Sequence, residues 1–242
     1  MNFTFLQNYD DMSKAAAEFV AKEINSRNGE KFVLGLPTGS SPEGMYDNLI
    51  KMNKNNEVDF ENVWTYNLDE YYPITQNHEQ SYYTFMYKTF FNHININKAN
   101  INIPFSKDGN IIAGIKYETY IDADGGIDLM ILGIGANGHI GFNEPKEVLK
   151  FGTHITDLTE ETINANARFF ASADEVPKQA ISMGMGSIII KSRKILLIVA
   201  GDSKIDVLKK LLKGGISTLN PASLLWLHPD VTVLVDRLQK DI

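Results

Sequence analysis

The chain has 242 residues, of which 43% are hydrophobic and 22% charged, with no cysteine and a formal net charge of −7. That balance belongs to a globular protein with a sizeable core, and one α/β domain is the expectation at this length. The acidic charge disfavours nucleic acid as a partner, the lack of cysteine excludes a disulfide framework or a thiolate site and points to the cytoplasm, and no apolar run approaches the roughly 20 residues that span a membrane.

In chain order, residues 1–6 read as a short strand, without the basic start and long apolar stretch of a signal peptide. Apolar runs of strand length follow at 31–36, 63–68, 127–132, 195–200 and 231–235. They alternate with segments whose apolar residues recur at helical spacing, at 11–26, 42–53, 82–91, 111–121, 176–190 and 203–212. Strands that are apolar almost throughout suit a parallel sheet buried on both faces. The predicted fold class is therefore α/β, a doubly wound, mainly parallel sheet with helices on both faces. Residues 146–174 are polar and less regular, and a lid segment is expected over roughly 146–183.

Ligands of such a sheet collect at the carboxyl ends of its strands. Four of these ends carry chemistry-bearing residues. In Leu36-Pro37-Thr38-Gly39-Ser40-Ser41-Pro42, Ser41 is expected to cap a helix that has Pro42 at its first position. Free N–H groups, a glycine and three hydroxyls there make either a phosphate-sized anion site or an ordinary capped turn. The Gly-Lys-Ser/Thr ending of a Walker A loop is missing. The second end, Asn67-Leu68-Asp69-Glu70-Tyr71-Tyr72, sets two adjacent carboxylates beside a strand. Surface acids in loops are common, but the position favours function.

The third, Gly133-Ile134-Gly135-Ala136-Asn137-Gly138, fits the G-x-G-x-x-G dinucleotide pattern letter for letter. Its continuation, His139-Ile140-Gly141-Phe142-Asn143-Glu144-Pro145, does not support the helix on which a pyrophosphate would rest, and no second strand ending in an acid follows about 20 residues on. The loop instead presents Asn137, His139, Asn143 and Glu144, a histidine and a carboxylate close enough for acid–base work. At the fourth end, Ala200-Gly201-Asp202-Ser203-Lys204, Lys204 falls in the first turn of a helix, against the dipole. A bound anion would offset that; exposure to solvent is the alternative.

These four motifs, in this order, resemble the glucosamine-6-phosphate deaminase family over nearly the whole chain. The pieces LGLPTGSSP, NLDEYY, SYYTFM, FFNH, GIGANGHIGFNEP, NARFF, VPKQAISMGMGS and GDSK carry the likeness, and GHIGFNEP together with LDEY is the specific part. The resemblance implies conversion of glucosamine 6-phosphate and water to fructose 6-phosphate and ammonia, with no metal or organic cofactor, by a monomer or small homo-oligomer. It makes Asp69 the base that moves a proton between C2 and C1, and His139 the group that opens the sugar ring, supported by Glu144 and Asn137. Many members carry aspartate at the Asn137 position and others asparagine. The phosphate falls to Thr38, Gly39, Ser40 and Ser41 with Lys204 and Arg168, the last within the lid segment. A 6-phosphogluconolactonase is the nearest rival, but such enzymes have arginine where Tyr71 stands and Ser-Leu-Phe-Pro where Phe142-Asn143-Glu144-Pro145 stand. A sugar-phosphate sensor of a transcription regulator would need a helix-turn-helix ahead of the first strand.

Overall fold

The computed structural model describes residues 1–106, 109, 111–167, 170 and 172–241. Side chains that are apolar at successive positions require cover on both faces of a strand, and β2 (Phe32–Leu36) is buried along its whole length. It lies near the middle of a seven-stranded sheet with β1 (Asn2–Phe5), β3 (Val63–Asn67), β5 (Ile101–Asn102), β6 (Ile127–Gly133), β9 (Ser192–Val199) and β10 (Val231–Val235). The order is β1-β10-β9-β6-β2-β3-β5, and all six pairings are parallel.

Alternate residues of each strand feed two separate cores. Leu34, Leu36, Leu129, Ile131, Leu196 and Ile198 pack with α1 (Tyr9–Asn25), α2 (Glu43–Lys54) and α3 (Tyr82–Thr89). Val33, Met130, Leu132, Ile195, Leu197 and Val199 pack on the opposite face with α4 (Ile111–Ala123), α6 (Met185–Lys191) and α7 (Ile205–Leu212). Burying each such side chain contributes roughly 1.5–3 kcal/mol, so the two-sided sheet dominates the stability of the fold. The doubly wound reading is correct. None of the described helices is long and apolar enough to cross a membrane.

After β2 the chain runs outward through β3 and β5, then returns to β6 on the other flank and continues to β9 and β10. The winding therefore reverses between β2 and β6, and the crevice beyond their carboxyl ends is where an open α/β sheet binds ligands.

Three local expectations need correction. The segment 176–190 is not one helix. Its first part is β8 (Gln179–Ser182), which pairs antiparallel with β4 (Asp69–Tyr72) and β7 (His154–Asp157) in a second, three-stranded sheet; α6 begins only after Gly184. The apolar spacing of Val176, Ala180 and Met183 suits a helix locally, but pairing with β4 and β7 overrides it. The stretch expected to be irregular likewise contains β7 and α5 (Glu160–Asn166). Finally, Ser41 is not the cap of α2, because Pro42 occupies that place and no side chain caps it. The Gly44 N–H donates instead to the Tyr9 hydroxyl at 2.9 Å, and that hydroxyl donates to the Ser40 carbonyl at 2.9 Å. A tyrosine of α1 thus does the work expected of the serine.

Candidate active site

A cleft of about 290 Å³ opens at the reversal between β2 and β6. The turn after β2 supplies Pro37 to Ser41, the end of β3 and start of β4 supply Leu68 and Asp69, the turn after β6 supplies Gly133 to Gly135 and His139, and the turn after β9 supplies Lys204. Tyr71, Tyr82, Gly141, Phe142, Thr162 and Asn166 form the remaining wall.

Asp69 and Glu70 are neighbours on a strand, so they point to opposite faces. Asp69 faces the cleft and is only 6% exposed. Burial, reinforced by the charge of Glu70, pushes its carboxyl up to about 8. Glu70 turns away to α3. Its Oε1 accepts the N–H groups of Tyr71 and Tyr82 at 2.9 and 2.8 Å, and its Oε2 accepts that of Tyr83 at 2.9 Å. With Ser81, whose hydroxyl accepts the Thr84 N–H at 3.0 Å, it satisfies the orphan donors of the α3 N-terminus. Burial raises the Glu70 carboxyl, with the three backbone N–H groups pulling the other way. Of the two acids, one faces the cleft and the other holds the scaffold.

The glycine-rich turn after β6 is shaped around side chains. A Cβ on Gly135 would collide with the His139 ring, and one on Gly141 would come within 3.1 Å of both Asp69 Oδ2 and Ser182 Oγ. Gly138, with φ of +91°, and Gly141, with φ of +56°, take backbone conformations that favour glycine. Gly135 thus makes room for the His139 ring, and Gly141 for the Asp69 carboxylate.

Asn137 joins the rest of this cluster. Its Oδ1 accepts the His139 backbone N–H at 3.1 Å, while its Nδ2 donates to Glu144 Oε2 at 2.8 Å. His139 Nδ1 lies 3.4 Å from the same Oε2, long for a hydrogen bond but close for an ion pair once the ring is protonated. Glu144 is 1% exposed. Burial opposes its ionisation, yet His139, Thr162 and Asn137 together hold the carboxyl down to about 2. Asn143 anchors the loop, its Nδ2 donating to the carbonyls of Ile140 at 2.9 Å and Met183 at 2.7 Å.

At the phosphate-sized end, Gly39 has φ of +92° with open space around it, and Ser40 is exposed. Lys204 ends a 3₁₀ turn, Asp202–Lys204, and faces the cleft. The structure therefore brings Thr38, Gly39, Ser40, Ser41, Asp69, His139 and Lys204 into one cavity, with Asn137 and Glu144 behind the histidine. Arg168 lies outside the described residues. Tyr71, Tyr82, Thr162 and Asn166 are wall residues to which the sequence assigns no role; a tyrosine of a YY pair or a threonine in Thr159-x-x-Thr162 carries no local sign of the direction it faces. Among the described residues, no group of three or more His, Cys, Asp or Glu side chains is gathered to hold a metal ion.

The pattern of the family described as "Glucosamine-6-phosphate isomerases/6-phosphogluconolactonase" matches residues 7–234. A glucosamine-6-phosphate deaminase of Thermoanaerobacter pseudethanolicus is 53% identical over 231 residues, covering 95% of this chain and 90% of that protein. The deaminase of Clostridium beijerinckii is 48% identical over 237 residues, covering 98% of this chain and 97% of its own. A solved structure described as a monomeric glucosamine-6-phosphate deaminase superposes with a TM-score of 0.93 at 42% identity, covering 98% of each chain. A 6-phosphogluconolactonase of Thermotoga maritima shares the fold, with a TM-score of 0.76 at 18% identity. By sequence and by architecture, this chain belongs to the glucosamine-6-phosphate isomerase/6-phosphogluconolactonase family.

Proposed function

We propose that this protein is a glucosamine-6-phosphate deaminase, converting glucosamine 6-phosphate and water to fructose 6-phosphate and ammonia. The observation that carries the reading is that buried Asp69 and His139, the latter backed by Glu144, line one cleft together with the Thr38–Ser41 turn. Removing a proton beside a carbonyl and opening a sugar ring are separate tasks, and the cleft supplies a separate acid–base group for each.

The phosphate is held by the turn after β2 together with Lys204, with Arg168 as the expected further cation. His139 moves a proton from the C1 hydroxyl to the ring oxygen as the ring opens, and ionised Glu144 stabilises the imidazolium formed on the way. Asp69 then takes the C2 proton while the C2 ammonium passes one to the C1 oxygen, and the proton held by Asp69 is returned to C1. The enolamine between these transfers is uncharged and gains from a site poor in water. Addition of water to the resulting C2 imine releases ammonia and leaves the ketose. A cationic amino group at C2 of the substrate draws the Asp69 carboxyl down from about 8, into the range of a working base.

In this reading residues 146–183 form a lid over the cleft, the enzyme acts in the cytoplasm, and the similarity to a monomeric deaminase favours a monomer. Assaying the purified protein for ammonia release from glucosamine 6-phosphate, beside hydrolysis of 6-phosphogluconolactone, tests the assignment. Ammonia release without lactone hydrolysis is expected, and the reverse would replace the deaminase reading by the lactonase one.

A further inference from the structure

Glu144 has two oxygens, and the residues named by resemblance use only one of them. Oε2 meets Asn137 and His139. The partner of Oε1 is Thr162, whose hydroxyl comes from α5, an element of the cleft wall separate from the glycine-rich turn. The direction of that bond follows from a donor count. The Thr162 N–H donates to Thr159 Oγ1 at 3.2 Å, and the Thr159 hydroxyl donates to Thr162 Oγ1 at 3.1 Å. Thr162 therefore accepts from Thr159, and its single hydroxyl proton goes to Glu144.

We infer that Thr162 is a positioning residue for ring opening, fixing the Glu144 carboxylate so that Oε2 stays aimed at His139 Nδ1. This rests on the deaminase reading above. Thr162 does not touch the ring nitrogen. It stops the carboxylate from turning about its own axis, which would carry Oε2 away from the histidine. Because Thr162 stands on α5, the histidine–glutamate pair is complete only when that helix is docked, so the wall that closes the cleft also completes the acid–base pair beneath it.

The test compares Thr162→Val, Thr162→Ala and Thr162→Ser with the unaltered protein, using glucosamine 6-phosphate and a phosphorylated analogue that cannot close its ring. Valine keeps the shape without the hydroxyl, alanine cannot crowd the site and favours the helix, and serine keeps the donor. Loss of a hydrogen bond to a charged group predicts a kcat on the sugar phosphate lowered roughly 10- to 100-fold in the valine and alanine variants. KM and the rate on the open-chain analogue should stay near the unaltered values, and serine should retain most of the kcat. A valine or alanine variant with undiminished kcat overturns the inference. So does an equal loss on both compounds, or a serine variant as slow as alanine, since each points to a merely structural role. If the alanine variant alone folds, its split between the two compounds decides. Absence of ammonia release by the unaltered protein is a distinct result, which overturns the deaminase reading itself.

Discussion

The Asn137 amide bridges the His139 backbone to Glu144, its Nδ2 donating to Oε2 at 2.8 Å while its Oδ1 accepts the His139 N–H at 3.1 Å. An amide can do both at once, whereas an aspartate in the same place would set a carboxylate oxygen against a buried carboxylate. Asparagine lets Glu144 stay ionised beside the histidine without a second negative charge.

Asn137→Asp should accordingly raise the pKa of one of the two carboxyls. A group with a raised folded-state pKa adds stability only at low pH and loses it as pH rises through that pKa, by about 1.4 kcal/mol for every pH unit that separates its folded and unfolded values. The variant should match the unaltered protein near pH 4 and unfold at a lower temperature near pH 8. Thermal unfolding across that range checks the sign; an equal or higher midpoint at pH 8 contradicts it.

Asp69 carries a similar signature in the unaltered protein. With its carboxyl pushed up to about 8, burial costs nothing below the ordinary carboxylate range, and stability falls as pH rises from there towards 8. Asp69→Asn should remove that fall, giving a more stable protein at pH 8 than the unaltered one, and lower kcat by roughly 10²–10⁴ or more. Exchange of the C2 proton with solvent should fall in step with ammonia release. A variant that still exchanges this proton at the normal rate removes Asp69 from the role of base.

His139→Gln should impair ring opening and leave Asp69 able to act on substrate that has opened in solution. Its deficit on a ring-opened analogue should therefore be much smaller than on the sugar phosphate. Gly135→Ala, which drives a Cβ into the histidine ring, should show the same pattern with an intact phosphate site. Equal deficits on both compounds would place the histidine elsewhere in the mechanism.

Lys204→Ala should act chiefly on KM, with a loss of about 1.5–3 kcal/mol typical of hydrogen bonds to charged groups. Inorganic phosphate should compete weakly with substrate in the unaltered enzyme and more weakly still in the variant. The same change at Arg168 is expected to behave alike. Unchanged KM in both would take them out of the phosphate site.

Local chemistry alone made much of this legible. Strands buried on both faces must be apolar at successive positions, so the runs at β2, β3, β6, β9 and β10 declare a parallel α/β sheet before any pairing is known. The turn after β6 could be separated from a dinucleotide cradle because Gly141 and Pro145 forbid the helix that such a cradle needs. Tertiary structure decided the rest, where the deciding partner is distant in sequence. Asp69 and Glu70 are chemically alike and adjacent, and only the docking of α3 makes Glu70 a cap while Asp69 faces the cleft. The residues of β8 have helical apolar spacing, and only β4 and β7 turn them into a strand. Tyr9 replaces Ser41 at the start of α2 because α1 packs there, and Thr162 reaches Glu144 because α5 lies over the turn. Composition and periodicity report what a residue needs to bury, whereas the direction of a hydrogen bond depends on which element is packed against it.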